Sequence, residues 1–124
     1  MSAAQPDVVI IGSGPGGYVA AIRAGQLGLD VVVVEKDPFL GGTCLHRGCI
    51  PTKALLHTAD VLQAAREGAK FGVICPQVTL DLKAAHDHKR KVVTKSAKGV
   101  EFLFKKYKVR WMQGTGRLVG GRTV

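Results

Sequence analysis

The sequence predicts an α/β fold built on a parallel sheet, and three observations carry that prediction. The first is the unbroken β-branched run Val8-Val9-Ile10-Ile11, which ends at a glycine-rich turn. The second is a matching run, Val31-Val32-Val33-Val34, that follows a stretch holding the small residues Ala20, Ala21 and Ala24. The third is the spacing between them: strand, helix and strand fit one β-α-β unit of about thirty residues with a right-handed crossover. Apolar runs without alternation suit parallel strands covered on both faces.

The elements follow in order. A helix is expected over residues 18–27, its small alanines allowing close packing on the sheet and Gly28 suiting its C-terminal cap. A glycine-rich, cysteine-bearing loop then occupies residues 37–49. Pro51 suits the first position of a helix that runs to about Glu67 and stops at Gly68. Leu55, Leu56, Ala59, Leu62 and Ala65 form its apolar stripe. After a linker over 70–79, a second helix is expected over 82–105. Short strands over 109–112 and 117–119 flank Gly114-Thr115-Gly116, and Gly120-Gly121 reads as a tight turn. The sheet looks unfinished, with the chain reaching Val124 as a further strand would begin.

Composition narrows the class. The chain has 124 residues, enough for one small domain. It is 46% hydrophobic with mean hydropathy +0.13, which implies a packed core rather than disorder. Residues 1–7 lack the basic-then-apolar layout of a secretory signal. The apolar runs fall far short of the roughly 20 residues that span a bilayer. A soluble, cytoplasmic protein is expected.

The net charge is +9, from 18 Lys and Arg against 9 Asp and Glu. The cations concentrate late, at Lys83, Lys89, Arg90, Lys91, Lys95, Lys98, Lys105, Lys106, Lys108 and Arg110. They fit the solvated face of one long helix. The competing reading is a non-catalytic basic module that binds nucleic acid, but aromatic residues are not interleaved as a stacking platform requires. Three cysteines without a signal peptide do not suggest a secreted disulfide framework. Cys75, between Ile74 and Pro76, reads as a buried or half-buried bystander.

Gly12-Ser13-Gly14-Pro15-Gly16-Gly17 places a G-x-G-x-x-G pattern between a strand and a helix, the context a dinucleotide fingerprint needs. Gly12 permits the tight turn, Gly14 lets a pyrophosphate approach the backbone, and Gly17 allows close packing of helix on strand. The helix N-terminus offers N–H groups and positive charge to phosphates. Glu35, at the end of the second strand, suits the ribose hydroxyls and would repel a 2′-phosphate, which argues against NADP here. This pattern alone does not separate FAD from NAD.

Cys44 and Cys49 admit four readings: metal ligands, a structural disulfide, unrelated thiols or a redox couple. Metal binding usually needs two more ligands, although His46 and His57 are near in sequence. In a regular helix, Cα atoms five residues apart lie about 8.7 Å apart. A disulfide needs roughly 4.4–6.8 Å. Any bond between the two therefore requires a distorted segment, and Gly48 supplies the freedom for one. A small distorted loop favours a reducible bond. With Pro51 starting a helix, Cys49 would lie where the dipole stabilises a thiolate.

The segment Gly41-Gly42-Thr43-Cys44-Leu45-His46-Arg47-Gly48-Cys49-Ile50-Pro51-Thr52-Lys53 resembles the active-site signature of the pyridine nucleotide–disulfide oxidoreductases. Cys49-Ile50-Pro51-Thr52-Lys53 followed by Ala54-Leu55-Leu56-His57 is similar to the dihydrolipoamide dehydrogenase branch. So is the stretch from Gly14-Pro15-Gly16-Gly17 to Ala24. Mercuric and glutathione-type reductases are the alternatives within the family. His46-Arg47 departs from the family's common pair, Asn followed by Val or Arg. The resemblance extends over residues 7–119 and covers roughly the first quarter of a full-length member.

The resemblance implies a Rossmann-like FAD-binding domain, here its N-terminal part. Gly12, Gly14 and Gly17 would cradle the pyrophosphate, with Glu35 and Lys36 at the adenosine ribose. Gly42, Thr43 and Cys44 would continue along the cofactor, and Gly116 would reach the adenine. Cys49 is implied as the flavin-side sulfur and Cys44 as the sulfur attacked by dihydrolipoamide. Lys53 would stand by the flavin, and NAD would be the final acceptor. The implied partners are a homodimer mate and the dihydrolipoamide-bearing domain of a 2-oxo acid dehydrogenase complex, with no nucleic acid or membrane.

No second G-x-G-x-x-G follows Gly17, so the NAD site is expected outside this sequence, as are the dimerisation domain and the family's His–Glu acid/base pair. Neither His46 nor His57 takes that role. The 124-residue chain alone is expected to bind FAD weakly and not to turn over lipoamide.

Overall fold

The computed structural model describes residues 5–124, so the part of the N-terminal reading that falls on Met1 to Ala4 lies outside the described residues. Strand β1 (Val8–Ile11), helix α1 (Pro15–Gln26) and strand β2 (Val31–Glu35) form the expected β-α-β unit. Helices α2 (Gly42–His46), α3 (Cys49–Glu67) and α4 (Leu82–Lys106) precede strand β3 (Arg110–Gln113). The sheet is parallel throughout, in the order β1-β2-β3, with Val8 opposite Val31 and Val32 opposite Arg110.

Helix α1 packs against β1 and β2, and side chains of α2 and α4 join the same core. Ala21, Val31, Val33, Leu40, Leu45, Val100, Phe104 and Val109 form the core, with Val8 and Ile10 packed against it. Strand β2 is buried almost throughout, as a central parallel strand should be. Strand β1 differs from expectation. Its exposure alternates, with Val9 and Ile11 36% and 49% exposed, because among the described residues its second face is largely open. Ala20, expected to pack on the sheet, faces outward, while Ala21 and Ala24 pack inward.

Several boundaries move for identifiable reasons. Helix α1 begins three residues earlier than expected, because Pro15 pre-sets its first turn and Gly14 provides an extended N-cap. The predicted loop over 37–49 contains the short helix α2. Helix α3 starts at Cys49 with Gly48 as its N-cap, so Pro51 is its third residue rather than its first. Gly68 stays right-handed, and the chain continues through a 3-10 turn (Gly68–Phe71) before Gly72 ends it at φ 78°. Leu56 and Ala59 point to solvent, leaving Ala54, Leu55, Leu62 and Ala65 on the packed side of α3.

Helix α4 is set by Asp81, whose carboxylate accepts the Ala84 N–H at 2.9 Å. Its cationic residues are solvated apart from a half-buried Lys89. Residues 117–119 do not form a strand. They pair with no neighbouring strand, and only an antiparallel bridge, Gly120 to Thr123, closes the turn beyond them. Cys75, expected to be at least half-buried, is exposed. No helix among the described residues is long and apolar enough to cross a membrane.

At the N-terminal ends of the strands, Asp7 accepts the Asp30 N–H at 2.8 Å and Arg110 reaches both Asp30 carboxylate oxygens at 2.7 and 2.8 Å. These polar links tie all three strands at one end. The opposite, C-terminal edge is left to the glycine-rich turns, where open parallel sheets place ligands.

Candidate dinucleotide and disulfide site

A cleft of about 360 Å³ opens at that edge, lined by Gly12, Gly14, Glu35, Lys36, Gly42, Thr43 and Gly116, among others. The sequence separates these residues by up to a hundred positions, and the parallel crossovers bring them together. Gly17 lies beneath the cleft rather than on its lining. A Cβ at Gly17 would come within 2.0 Å of the Gly12 carbonyl oxygen, so the first turn of α1 must press directly on the glycine turn. A Cβ at Gly12 or Gly14 would meet nothing within 4 Å, which leaves the space above them open for a ligand. The N–H groups of Gly16 and Gly17, in the first turn of α1, have no acceptor within the helix.

The second glycine pair brings the two turns into contact. Gly42 has φ 64°, and a Cβ there would lie 2.7 Å from the Gly14 Cα. The Gly41 N–H reaches the Ser13 carbonyl and hydroxyl oxygens, each at 3.1 Å. The turn after β1 and the start of α2 thus share one backbone surface.

Glu35 is 5% exposed, so it is not a surface carboxylate. Its Oε2 accepts from the Ser13 N–H at 2.7 Å and the Ser13 hydroxyl at 2.6 Å, and its Oε1 accepts from the Asp37 N–H at 2.9 Å. Burial pushes the Glu35 carboxyl up, but the hydrogen bonds from Asp37, Ser13 and Lys36 outweigh it and hold the group below 4.5. The carboxylate is charged and fixed in direction before any ligand arrives. Sequence reasoning missed Ser13 as a functional residue. Its type, small and polar between two glycines, was visible, but the partner 22 residues away was not. Asp37, Gly114 and Thr115, which also line the cleft, were missed as well.

Cys44 and Cys49 form a disulfide across the junction of α2 and α3, with Cα atoms 4.8 Å apart. The regular-helix separation is shortened because the backbone leaves helical geometry at Arg47 (φ −133°, ψ −4°) and Gly48 (φ −125°, ψ −108°). Gly48 is also pressed close: a Cβ there would stand 3.3 Å from the Thr43 carbonyl oxygen. Cys44 follows the cleft-lining Thr43 directly and is half-buried, while Cys49 opens α3 and is exposed. Lys53 is exposed one turn farther along α3. Neither cysteine nor Lys53 lines the cleft itself; they extend the site along the α2–α3 junction.

Fold and site together define an α/β unit with a glycine-lined cleft at the C-terminal edge of its parallel sheet and a disulfide beside that cleft. The pyridine nucleotide-disulphide oxidoreductase family matches residues 6–124, and the chain belongs to that family. It is 52% identical over 99% of its length to the mitochondrial dihydrolipoyl dehydrogenase of Dictyostelium discoideum, and 54% identical over 95% to a dihydrolipoyl dehydrogenase of Bacillus subtilis. It is also 50% identical over 93% of its length to the leghemoglobin reductase of Vigna unguiculata. The chain spans about a quarter of the length of these relatives, 25%, 25% and 22% respectively.

Proposed function

We propose that this chain supplies the first part of an FAD site and the redox disulfide of an enzyme that oxidises dihydrolipoamide to lipoamide, with NAD as final acceptor. The observation that carries the reading is the Cys44–Cys49 disulfide, one residue beyond the lining of the cleft, in a chain about half identical to dihydrolipoyl dehydrogenases. The open space over Gly12 and Gly14, the α1 amides and the oriented Glu35 suit the pyrophosphate and ribose of FAD. Lys36 and Gly116 complete the adenosine end, and Gly42 and Thr43 continue toward the cysteines.

In this reading a dihydrolipoamide thiolate attacks the Cys44 sulfur, forming a mixed disulfide and releasing Cys49 as a thiolate. The second dihydrolipoamide thiol then displaces Cys44, giving lipoamide and leaving the pair reduced by two electrons. The positive end of the α3 dipole stabilises the released Cys49 thiolate. Bound FAD supplies the two-electron acceptor for the reduced pair. Lys53, four residues beyond Cys49, contributes positive charge on the same side of α3.

The proposed partners are the dihydrolipoamide-bearing domain of a 2-oxo acid dehydrogenase complex and a second copy of a full-length chain, in the cytoplasm. A second reading, a reductase for another acceptor, is favoured by the name of the Vigna unguiculata relative. The test is dihydrolipoamide-dependent NADH formation by a polypeptide of the relatives' length containing this chain. Activity that disappears in Cys44→Ser supports the proposal. Activity only toward another acceptor favours the second reading. The 124-residue chain alone is expected to give no NAD-linked turnover.

A further inference from the structure

The residues between the two cysteines are strapped to the loop after β2 by side chains that the proposed chemistry leaves unused. The His46 ring donates from Nε2 to the Leu40 carbonyl oxygen at 2.8 Å; a carbonyl only accepts, so this nitrogen carries the hydrogen. The same ring packs on Phe39, with centroids 4.2 Å apart and planes inclined by 44°. Arg47 lies 5.8 Å from the Phe39 ring centroid and 3.9 Å from the Asp37 carboxylate. Leu40 is 1% exposed, and the next residue, Gly41, is bonded to Ser13. The strap therefore ends on an anchored point.

We propose that His46 is a positioning residue for the redox pair, holding the last turn of α2 so that Cys44 stays within bonding reach of Cys49 after reduction. The proposal rests on reading that pair as redox-active. Its physical basis is proximity: re-forming the bond depends on the effective concentration of one sulfur at the other. The backbone between them leaves helical geometry at Arg47 and Gly48, so α2 and α3 are not one rigid rod. The link from Leu40 to His46 restricts that joint. The Arg47–Asp37 pair adds little, because the Arg47 side chain is 63% exposed and solvent screens it.

The strap is tested by equilibrating the chain with dithiothreitol at fixed pH and measuring the fraction of Cys44–Cys49 disulfide. In that exchange dithiothreitol gives two electrons and two protons to the pair and becomes its own cyclic disulfide. In His46→Leu, which keeps bulk but removes the donor, the equilibrium should move toward the dithiol by about three- to tenfold. His46→Gln, whose amide can still reach the Leu40 carbonyl, should restore it to within about twofold of the parent. An unchanged equilibrium in His46→Leu, or an equal shift in both variants, overturns the proposal. If His46→Leu loses the parent's helical circular dichroism, Phe39→Leu takes its place. That variant keeps the donor and should shift the equilibrium by about twofold, and no shift overturns the strap. A parent disulfide that resists a large excess of dithiothreitol would instead contradict the redox reading itself.

Discussion

Ser13 gives both its backbone N–H and its hydroxyl to one oxygen of Glu35, at 2.7 and 2.6 Å, and no part of Ser13 is exposed. The residue between the first two fingerprint glycines thus holds the carboxylate at the end of β2, 22 residues away. Ser13→Ala keeps the N–H bond and removes the hydroxyl bond to a buried charge. It should cost about 1.5–3 kcal/mol of stability, read by chemical denaturation. It should also weaken FAD binding, since Glu35 and Gly41 each lose their bond to the Ser13 hydroxyl.

The same carboxylate sets an acid limit. Its folded-state value is lowered below 4.5, so the carboxyl stabilises the fold at pH values above 4.5, where it is ionised in both states. That contribution is lost as the pH falls below 4.5 and through the folded-state value. Acid titration of stability should therefore show a loss in this window that is diminished in Glu35→Gln. Equal acid sensitivity in the two proteins would count against the assignment.

Two fingerprint glycines should respond differently to one added methyl group. Gly17→Ala drives its Cβ to 2.0 Å from a backbone oxygen, and the turn has no flexible side chain to yield. A loss of about 3 kcal/mol or more is expected, in the upper range for core overpacking. Gly14→Ala has an ordinary φ of −65° and open space around its Cβ. It should fold within about 1 kcal/mol of the parent, yet it should bind FAD far less tightly because the methyl occupies the ligand's space. Denaturation and flavin fluorescence titration together separate the two effects.

Much of this site was legible because its residues carry local rules. Two apolar runs a helix apart specify β1 and β2, and three glycines plus Glu35 mark the cleft in the sequence itself. The cysteine spacing showed that a bond needs a break in the helix, and the break occurs at Arg47 and Gly48. What escaped depends on tertiary partners. Helix α2 is five residues long, too short for a periodicity to register, and its glycines read as loop. Residues 117–119 have strand-like composition, but β preference is realised only against a neighbouring strand, and they have none. The Ser13 bond could not be inferred because it joins residues 22 apart, and the bonds of Asp37 and His46, two and six residues apart, depend on a loop and a short helix that no periodicity announces.

A cap prediction tests the long helix independently of the cofactor. Asp81→Ala removes the bond to the Ala84 N–H and should cost about 1 kcal/mol. FAD affinity should be unchanged, because no residue of α4 lines the cleft.

The central claim is that Cys44 and Cys49 exchange electrons with a bound flavin, Cys49 on the flavin side. The most direct measurement is the visible spectrum of an FAD-loaded polypeptide of the relatives' length, containing this chain, after two-electron reduction. A long-wavelength band from a thiolate against oxidised flavin is predicted for the parent. In Cys44→Ser, which has no disulfide to take the electrons, the band should be present before any reduction, from the free Cys49 thiolate against oxidised flavin; in Cys49→Ser it should be absent throughout. A band that survives Cys49→Ser, or that never forms in a reducible, flavin-loaded parent, would contradict the account.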